Sequence, residues 1–236
     1  MKLRKILFSA LAVLGIASLS SCNSSDDPSD GLNYFVDIAT LESTGDSGSV
    51  LTLRKMGDSP LVTLLTKQRF DSKEFTVGKR IVMIYHPESN MQYESGNIVV
   101  SSAAETFGGG DAPKVSTSAE MDKWASDPIR DVSVWRTGEY LNFRFVADAF
   151  LTTNVEECQL YFDAATEGSE NPHFHLIYDA GKGINPQQVE FYASFNIGEY
   201  WNASNVKSIQ VYYPDTSLQG GSYTTIVKEA YTITPN

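Results

Sequence analysis

Two histidines stand two residues apart in a strongly apolar stretch of the chain. His173 and His175 alternate with Phe174 and Leu176, a pattern typical of a β-strand with one buried face. Side chains at positions i and i+2 of a strand lie on the same face. Two neighbouring imidazoles can provide two of the three or four ligands that a transition metal needs. The acids that would complete such a set are Asp163, Asp179 and Glu190.

The alternative for this pair is a strand whose histidines face solvent while Phe174 and Leu176 pack inward. The sequence contains no HExxH motif, and its only other histidine is His86. A metal site at His173 and His175 is therefore a hypothesis, and we expect no cofactor.

An adjacent pair of aromatic residues, Tyr200 and Trp201, forms the second candidate site. The pair lies in the segment Gly-Glu-Tyr-Trp-Asn, residues 198–202, which follows a predicted strand and is interpreted as a loop or a single helical turn. Aromatic rings in a loop can stack against a ligand such as a sugar. The alternative is that the two rings close the open end of a sandwich.

Motifs for nucleophilic catalysis are missing from the sequence. There is no GxSxG motif, and a Ser-His-Asp set depends on proximity that sequence does not show. The adjacent acids Glu156 and Glu157 would point to opposite faces of a strand. We predict that the protein is not an enzyme, with a hydrolase as a less favoured alternative.

The N-terminal segment has the features of a secretory signal. Lys2, Arg4 and Lys5 precede an apolar run over residues 6–16, and Leu19-Ser20-Ser21-Cys22 closes the segment with small residues. This ending looks like a bacterial lipobox, so residues 1–21 are predicted to be removed and Cys22 to be acylated. A membrane-spanning helix needs about 20 apolar residues, and this run is shorter. More than one acyl chain gives stable anchoring.

A polar stretch of Ser, Asp, Pro and Gly follows Cys22, so residues 22–31 are predicted to be the lipidated cysteine and a flexible tether. Ser25-Asp26-Asp27 resembles the acidic signal that sends some lipoproteins to the outer leaflet of the outer membrane. We therefore expect a surface-exposed outer-membrane lipoprotein of a Gram-negative bacterium. The alternative is a plain linker on a protein that faces the periplasm. Cys158 is then the one free thiol, and we expect it to be buried and inert.

The charge balance limits the partners. Among 236 residues, 18 are Lys or Arg and 29 are Asp or Glu, for a net charge of −11. Removal of residues 1–21 takes away three of the basic residues. Nucleic-acid binding needs clustered positive charge, so we expect no nucleic acid. The predicted partners are the membrane, through the lipid anchor, and a glycan or an envelope protein.

Alternating and β-branched apolar runs predict an all-β fold in two parts. The first part, residues 32–107, has five predicted strands, which fit a small barrel or sandwich and are compatible with an OB-like barrel. They cover residues 34–41, 49–54, 61–66, 79–85 and 97–106. The glycine-rich run at 107–113 then opens a linker, residues 108–129, with one short helix predicted at 116–126.

The second part, residues 130–236, has about seven predicted strands, which fit a β-sandwich. They cover residues 130–135, 140–147, 158–163, 173–178, 189–196, 207–213 and 223–232.

Several segments resemble the NigD-like lipoproteins. Asp127-Pro128-Ile129 leads to Trp135, and residues 138–145 read GEYLNFRF. Residues 77–85, VGKRIVMIY, are similar to the family's Gly-basic strand that ends in Tyr. Residues 174–180, FHLIYDA, lie where the family has a strand entering a polar loop, although family members often have a basic-His-Asn run there. The resemblance implies an OB-like N-terminal domain, a C-terminal β-sandwich and an envelope location, and it supplies no catalytic residues.

The function that these features favour is that of a lipid-anchored, non-enzymatic protein of the cell envelope. It would bind a ligand or partner through its β-domains. The alternative is a structural or adaptor subunit of an outer-membrane complex.

Overall fold

The computed structural model describes residues 33–89, 95–121, 126–150, 157–215 and 222–228. The predicted signal, Cys22 and the whole predicted tether lie outside these ranges, so the lipobox and the tether stay predictions. In the ranges described, no helix has both the length and the apolar character to cross a membrane.

The first five strands form a closed barrel, as the sequence predicts. The barrel order is β1-β2-β3-β5-β4, with β3 and β5 parallel and the other neighbours antiparallel. Alternation along the strands sends one row of apolar side chains, such as Leu51 and Met83, into the barrel core. The strands are β1 (Phe35–Gly45), β2 (Gly48–Leu53), β3 (Val62–Thr66), β4 (Arg80–Pro87) and β5 (Gly96–Glu105).

The remaining strands form a β-sandwich, which confirms the predicted fold class. A five-stranded sheet has the order β13-β12-β10-β9-β6, and a three-stranded sheet has the order β11-β8-β7. The strands are β6 (Lys114–Ser116), β7 (Ile129–Thr137), β8 (Tyr140–Ala149), β9 (Glu157–Asp163), β10 (His173–Asp179), β11 (Gln187–Asn196), β12 (Ser208–Tyr213) and β13 (Ser222–Val227). Among the described residues, the structure also shows two short helices, α1 (Ser118–Met121) and α2 (Gly198–Trp201), and one 3₁₀ turn.

The structure differs from the sequence prediction in the segment between the barrel and β7. Lys114–Ser116, expected in the linker, forms β6 and pairs in parallel with β9. The described part of the sandwich therefore has eight strands, one more than predicted. A strand of three residues is too short for alternation to reveal it. Of the helix predicted at 116–126, the structure shows α1 at Ser118–Met121, while Ser116 belongs to β6 and residues 122–125 are not described.

The sandwich core lies between the two sheets and is rich in aromatic residues. Phe143, Phe145, Phe174 and Tyr178 are fully buried there, and the Tyr178 hydroxyl donates to the Asp148 carbonyl over 3.0 Å. Cys158 also lies in this core, and its burial raises the pKa of the thiol. A thiol in such surroundings is expected to be unreactive.

The chain leaves the barrel through a glycine that no other residue can replace without strain. Gly108 has a φ of +73°, and a Cβ atom placed on it would lie 2.4 Å from the ring of Phe195. Phe195 belongs to the sandwich core. The close approach therefore brings the end of the barrel into contact with the core of the second domain.

Replacement of Gly108 by alanine is expected to lower the free energy of unfolding by about 2–4 kcal/mol, from left-handed backbone strain and overpacking against Phe195. Gly168→Ala is the matched control, because Gly168 has a φ of +72° and a Cβ atom added to it would meet no atom within 4 Å. The free energy of unfolding of the control should fall by only about 1–2 kcal/mol, the cost of the left-handed backbone strain. Urea unfolding measures both changes, and equal losses would contradict the steric contact with Phe195.

Candidate functional site

A buried arginine joins the barrel to the three-stranded sheet. Arg80, on β4, is only 2% exposed. Its guanidinium donates to the Ile38 carbonyl over 3.0 Å, to Thr40 Oγ1 over 3.1 Å and to Ser194 Oγ over 3.3 Å. The ring of Tyr140 lies 4.3 Å from the guanidinium carbon. The side chain thus binds both domains at once.

Hydrogen bonds extend from Arg80 across the outer face of the three-stranded sheet. The Ser194 hydroxyl donates to Asn142 Oδ1 over 2.8 Å, and Asn142 Nδ2 donates to Thr137 Oγ1 over 2.9 Å. Burial lowers the pKa of Arg80 to about 10, so the guanidinium remains charged at neutral pH. Among the described residues, no carboxylate forms an ion pair with it, and dipoles and the Tyr140 ring solvate the charge.

A second arginine joins the domains at the end of the sandwich. Arg136 is 1% exposed and donates to both carboxylate oxygens of Asp58, over 2.8 and 2.6 Å. Beside it the backbones meet: the Gly57 N–H donates to the Arg136 carbonyl, and the Gly138 N–H donates to the Gly57 carbonyl. Arg136 lowers the pKa of Asp58, chiefly through its hydrogen bonds.

The linker provides a third attachment. Phe107 donates its N–H to the Tyr192 carbonyl and accepts from the Ser194 N–H, each over 2.9 Å. Gly110 then donates to the Ser194 carbonyl over 2.8 Å. The edge of β11 is therefore paired at this point, and the two domains meet in one defined geometry.

Beyond these attachments the barrel and the three-stranded sheet diverge and leave a cleft of about 450 Å³ between them. This interdomain cleft is lined by Val36, Asp37, Ile38, Arg54, Lys55, Ile84, Trp135, Thr137, Arg144, Glu190 and Tyr192. Its size lies within the range of small-molecule sites in proteins.

On the barrel side, a cation, a carboxylate and a tyrosine form one cluster. Lys55 Nζ donates to Asp37 Oδ2 over 2.6 Å and contacts the Tyr85 hydroxyl at 2.9 Å. The Tyr85 hydroxyl also donates to Asp37 Oδ2, over 2.8 Å. The cluster joins β1, β4 and the segment after β2, so the fold of the barrel fixes its shape.

The sandwich side carries the same three kinds of group. Arg144 donates to Glu190 Oε2, and the Tyr192 hydroxyl donates to Glu190 Oε1 over 2.7 Å. Arg144 and Tyr192 are direct partners in the β8–β11 register, and all three side chains lie on the face away from the core. Burial, followed by the Glu190 hydrogen bond, raises the pKa of Tyr192, and the Glu190 hydrogen bond raises the pKa of Arg144.

Between the two clusters, the remaining lining is largely apolar. Val36 is 47% exposed, and Ile84 and Trp135 are partly exposed. Trp135 lies on β7 and faces the barrel, at a domain junction where no ligand was expected from the sequence. The cleft therefore combines an aromatic and aliphatic surface with a set of donors and acceptors on each side.

Residues 113–227 match the family model of the NigD-like C-terminal beta sandwich domain. The chain carries a NigD-like C-terminal domain. This confirms the resemblance predicted from the sequence. The match begins at residue 113, one residue before β6, which agrees with the place of that strand in the sandwich.

Solved structures share the fold of both domains. A protein of unknown function from Bacteroides vulgatus has a TM-score of 0.61 at 17% identity, over 83% of this chain and 90% of its own. A NigD-like immunity protein from Bacteroides caccae has a TM-score of 0.57 at 16% identity, and the match covers 82% of this chain and 96% of that protein. A "Putative lipoprotein" from Bacteroides fragilis has a TM-score of 0.55 at 10% identity, and the match covers 84% of this chain and 99% of that protein. At these identities the likeness shows the fold alone. Comparison with curated proteins gives no match.

His173 and His175 lie on the outer face of the five-stranded sheet of the NigD-like domain. The imidazole of His175 stacks on the ring of Tyr212, with centroids 4.7 Å apart. Phe174 and Leu176 point into the core, as in the solvent-facing alternative. The described residues hold no cluster of three or more His, Cys, Asp or Glu side chains placed to bind a metal. The metal role of the pair stays a prediction.

Tyr200 and Trp201 belong to α2, at one end of the sandwich. Trp201 is 3% exposed, and the Arg136 guanidinium lies 4.4 Å from its ring centroid. The ring of Tyr200 packs 4.2 Å from that of Phe162. This placement favours the alternative in which the pair closes the sandwich, and the ligand-binding role predicted for it is untested. Cys22 lies outside the described residues.

Apart from Glu190, which the sequence suggested only as a possible metal ligand beside His173 and His175, the residues of the interdomain cleft were not among the sites predicted from the sequence. In β11, Glu190 and Tyr192 alternate with core residues, a pattern that predicts only a polar outer face. Asp37 and Lys55 are separated by 18 residues, and nothing local connects them. The sequence features that could have indicated the cleft were a tryptophan and several charged residues on strand faces away from the core. Only the packing of the two domains brings these residues together.

Replacement of Asp58 by asparagine is expected to lower the free energy of unfolding by about 1–2 kcal/mol at pH 7, because Arg136 would lose its counter-charge. This expected loss is smaller than that for a fully buried ion pair, because the Asp58 side chain is 74% exposed to solvent. The folded-state pKa lies below 3.8, so the stabilisation is present above pH 3.8. It is lost as the pH falls through the folded-state pKa. Urea unfolding across this pH range measures the change.

Asp46→Asn is the matched control, since Asp46 pairs with Arg69 on the barrel surface and both side chains are exposed. Its loss should stay below about 1 kcal/mol. A pH-independent loss in Asp58→Asn would contradict the charge-based explanation.

Proposed function

We propose that the protein is a lipid-anchored, non-enzymatic component of the bacterial cell envelope that binds a ligand in the interdomain cleft. The lipobox at Leu19-Ser20-Ser21-Cys22 supports the anchor. The similarity to a structure named "Putative lipoprotein" agrees with it. The acidic residues after Cys22 favour the outer leaflet of the outer membrane.

The observation that carries the binding function is the construction of the cleft. Two preassembled polar clusters, one built on Asp37 and one on Glu190, face a partly apolar lining that includes Trp135. Concave sites that combine apolar walls with a few placed polar groups are the usual form of ligand sites. Since three attachments fix the domains, little conformational freedom remains to be lost on binding.

The hydrogen bonds around the two carboxylates of the cleft favour a role in binding. Asp37 is held by the ammonium of Lys55, and Glu190 is held by the guanidinium of Arg144. In each cluster a tyrosine hydroxyl, Tyr85 or Tyr192, donates a further hydrogen bond to the same carboxylate. Both groups are therefore suited to accept hydrogen bonds.

A protein partner is the second candidate, in the form of a structural or adaptor subunit of an outer-membrane complex. One structural neighbour is named an immunity protein. On this chain, the barrel side of the cleft exposes Val36, and Leu61 is exposed further along the junction. Exposed apolar groups at a domain junction are also a feature of protein interfaces.

Replacement of Cys22 by alanine is expected to move the protein from the membrane fraction to the soluble fraction, because the acylated sulfur is lost. Immunoblots of fractionated cells measure the change. Cys158→Ala is the matched control, since it removes the other cysteine and leaves the lipobox intact, and this variant should remain with the membrane. If the Cys22→Ala variant remained in the membrane fraction, the prediction that Cys22 carries the lipid anchor would be wrong.

A thermal-shift screen tests the cleft. The mature chain with Cys22→Ala would be tested against glycans, peptidoglycan fragments, peptides and divalent metals with and without EDTA. A ligand at about 100 times its Kd raises the free energy of unfolding by roughly 2.7 kcal/mol. For a protein of this size, each kcal/mol raises the Tm by about 2–4 °C. Any ligand of the cleft should lose its shift in Val36→Arg, which fills the cleft from the barrel side.

Val99→Arg is the matched control, because Val99 is also an exposed valine on a barrel strand, with 41% exposure against 47% for Val36. Val99 does not line the cleft, so the ligand should still shift this variant. A shift that survives in Val36→Arg would exclude the cleft as the binding site. A screen without any shift would favour the adaptor function.

A further inference from the structure

We propose that the interdomain cleft binds a carbohydrate, with a sugar ring stacked on Trp135 and its hydroxyls held by the Asp37–Lys55 and Arg144–Glu190 pairs. This inference rests on the proposed ligand-binding function and specifies its chemistry. It assigns the site to residues from both domains.

The polar groups on each side suit hydroxyl groups. A hydroxyl both donates and accepts hydrogen bonds, so a sugar is best held where a donor and an acceptor stand side by side. Lys55 and Asp37 form such a combination on the barrel side. Lys55 and Tyr85 both donate to Oδ2 of Asp37, which leaves Oδ1 as an acceptor for a ligand.

The sandwich side repeats the combination. Arg144 retains 43% exposure of its side chain while it donates to Glu190. Because a guanidinium has five N–H donors, it can hold Glu190 and still donate to a ligand in the cleft. The Glu190 carboxylate, 25% exposed, offers further acceptor positions beside it.

The rest of the lining suits the C–H surface of a sugar ring. Trp135 presents an indole, and Val36 and Ile84 add aliphatic surface beside it. Tryptophan combines a large apolar area with few rotatable bonds, so it orders a ligand at low entropic cost. One face of a pyranose is apolar and its edge carries hydroxyls, which matches an apolar surface placed between polar clusters.

The charge pattern argues against other small ligands. A lipid chain would remove water from the charged groups of both pairs without replacing their hydrogen bonds. Two of the three cations in the lining, Lys55 and Arg144, already pair with Asp37 and Glu190. A strongly anionic ligand would therefore meet both carboxylates, with Arg54 as the lining cation that forms no ion pair among the described residues. An extended peptide usually adds to a free strand edge, whereas the sandwich wall of the cleft is a sheet face.

The test uses the whole mature chain with Cys22→Ala and an array of neutral, uronic-acid and sulfated oligosaccharides. Calorimetry then measures the affinity of the strongest neutral oligosaccharide. Trp135→Ala should weaken binding by about 30-fold or more, as expected for a central aromatic contact. Asp37→Asn and Arg144→Gln should each weaken it by about tenfold, in line with hydrogen bonds to charged groups. The affinity should change little with salt, because a neutral ligand makes no ion pair.

Two variants keep the result interpretable. Trp135→Phe preserves an aromatic surface and should recover most of the affinity if the alanine variant is unstable. Tyr223→Ala removes an aromatic ring that is 61% exposed on the other sheet, and it should bind like the parent chain. Sugar binding that depends on Tyr223 and not on Trp135 would overturn the assignment of the site.

The remaining outcomes separate the two proposals. A peptide or peptidoglycan peptide that binds in place of sugars, and loses binding in Val36→Arg, would overturn the carbohydrate assignment and support the cleft. If only the uronic-acid or sulfated oligosaccharides of the array bind, with an affinity that falls steeply with salt, the ligand is anionic and the assignment of a neutral sugar is overturned. An array and a thermal-shift screen that both give no binding would overturn the proposed function as well.

Discussion

The arrangement of the two domains depends on a buried positive charge that no carboxylate in the described residues neutralises. Arg80 leaves the barrel and enters the outer face of the three-stranded sheet, where hydroxyl and carbonyl dipoles and the Tyr140 ring solvate it. A buried charge is costly unless its hydrogen bonds are satisfied. Because those partners come from both domains, the charge is satisfied in one relative orientation only. Arg136 repeats the principle with a direct counter-charge, Asp58.

The interdomain cleft follows from how that sheet is used. One face of β8 and β11 carries Phe143 and Phe191 into the sandwich core, so the alternate residues must face the barrel. Near Arg80 these residues are small and polar, and the barrel closes on them through Ser194. Further along they are the long side chains Arg144 and Glu190, which line the cleft. The same alternation thus produces an attachment at one end and an open site at the other.

The structural neighbours share this architecture at 10–17% identity. Alternation of apolar residues is enough to maintain a barrel and a sandwich while most side chains change. The lining of the cleft is a separate matter, because polar residues on a non-core face can be exchanged without loss of the fold. Similar folds can therefore bind different ligands through different sites, and the chemistry has to be argued from this chain's own residues.

The sequence by itself determined the all-β class, the five strands of the first domain and most other strand positions, because alternation and turn residues are local signals that act within a few residues. It also indicated the lipobox, whose residues are contiguous. The tertiary structure decided that Lys114–Ser116 joins the sandwich, that Trp201 lies under Arg136, and that Asp37 and Glu190 belong to one cleft. These relations depend on contacts between residues far apart in the chain, and the packing of two domains creates them.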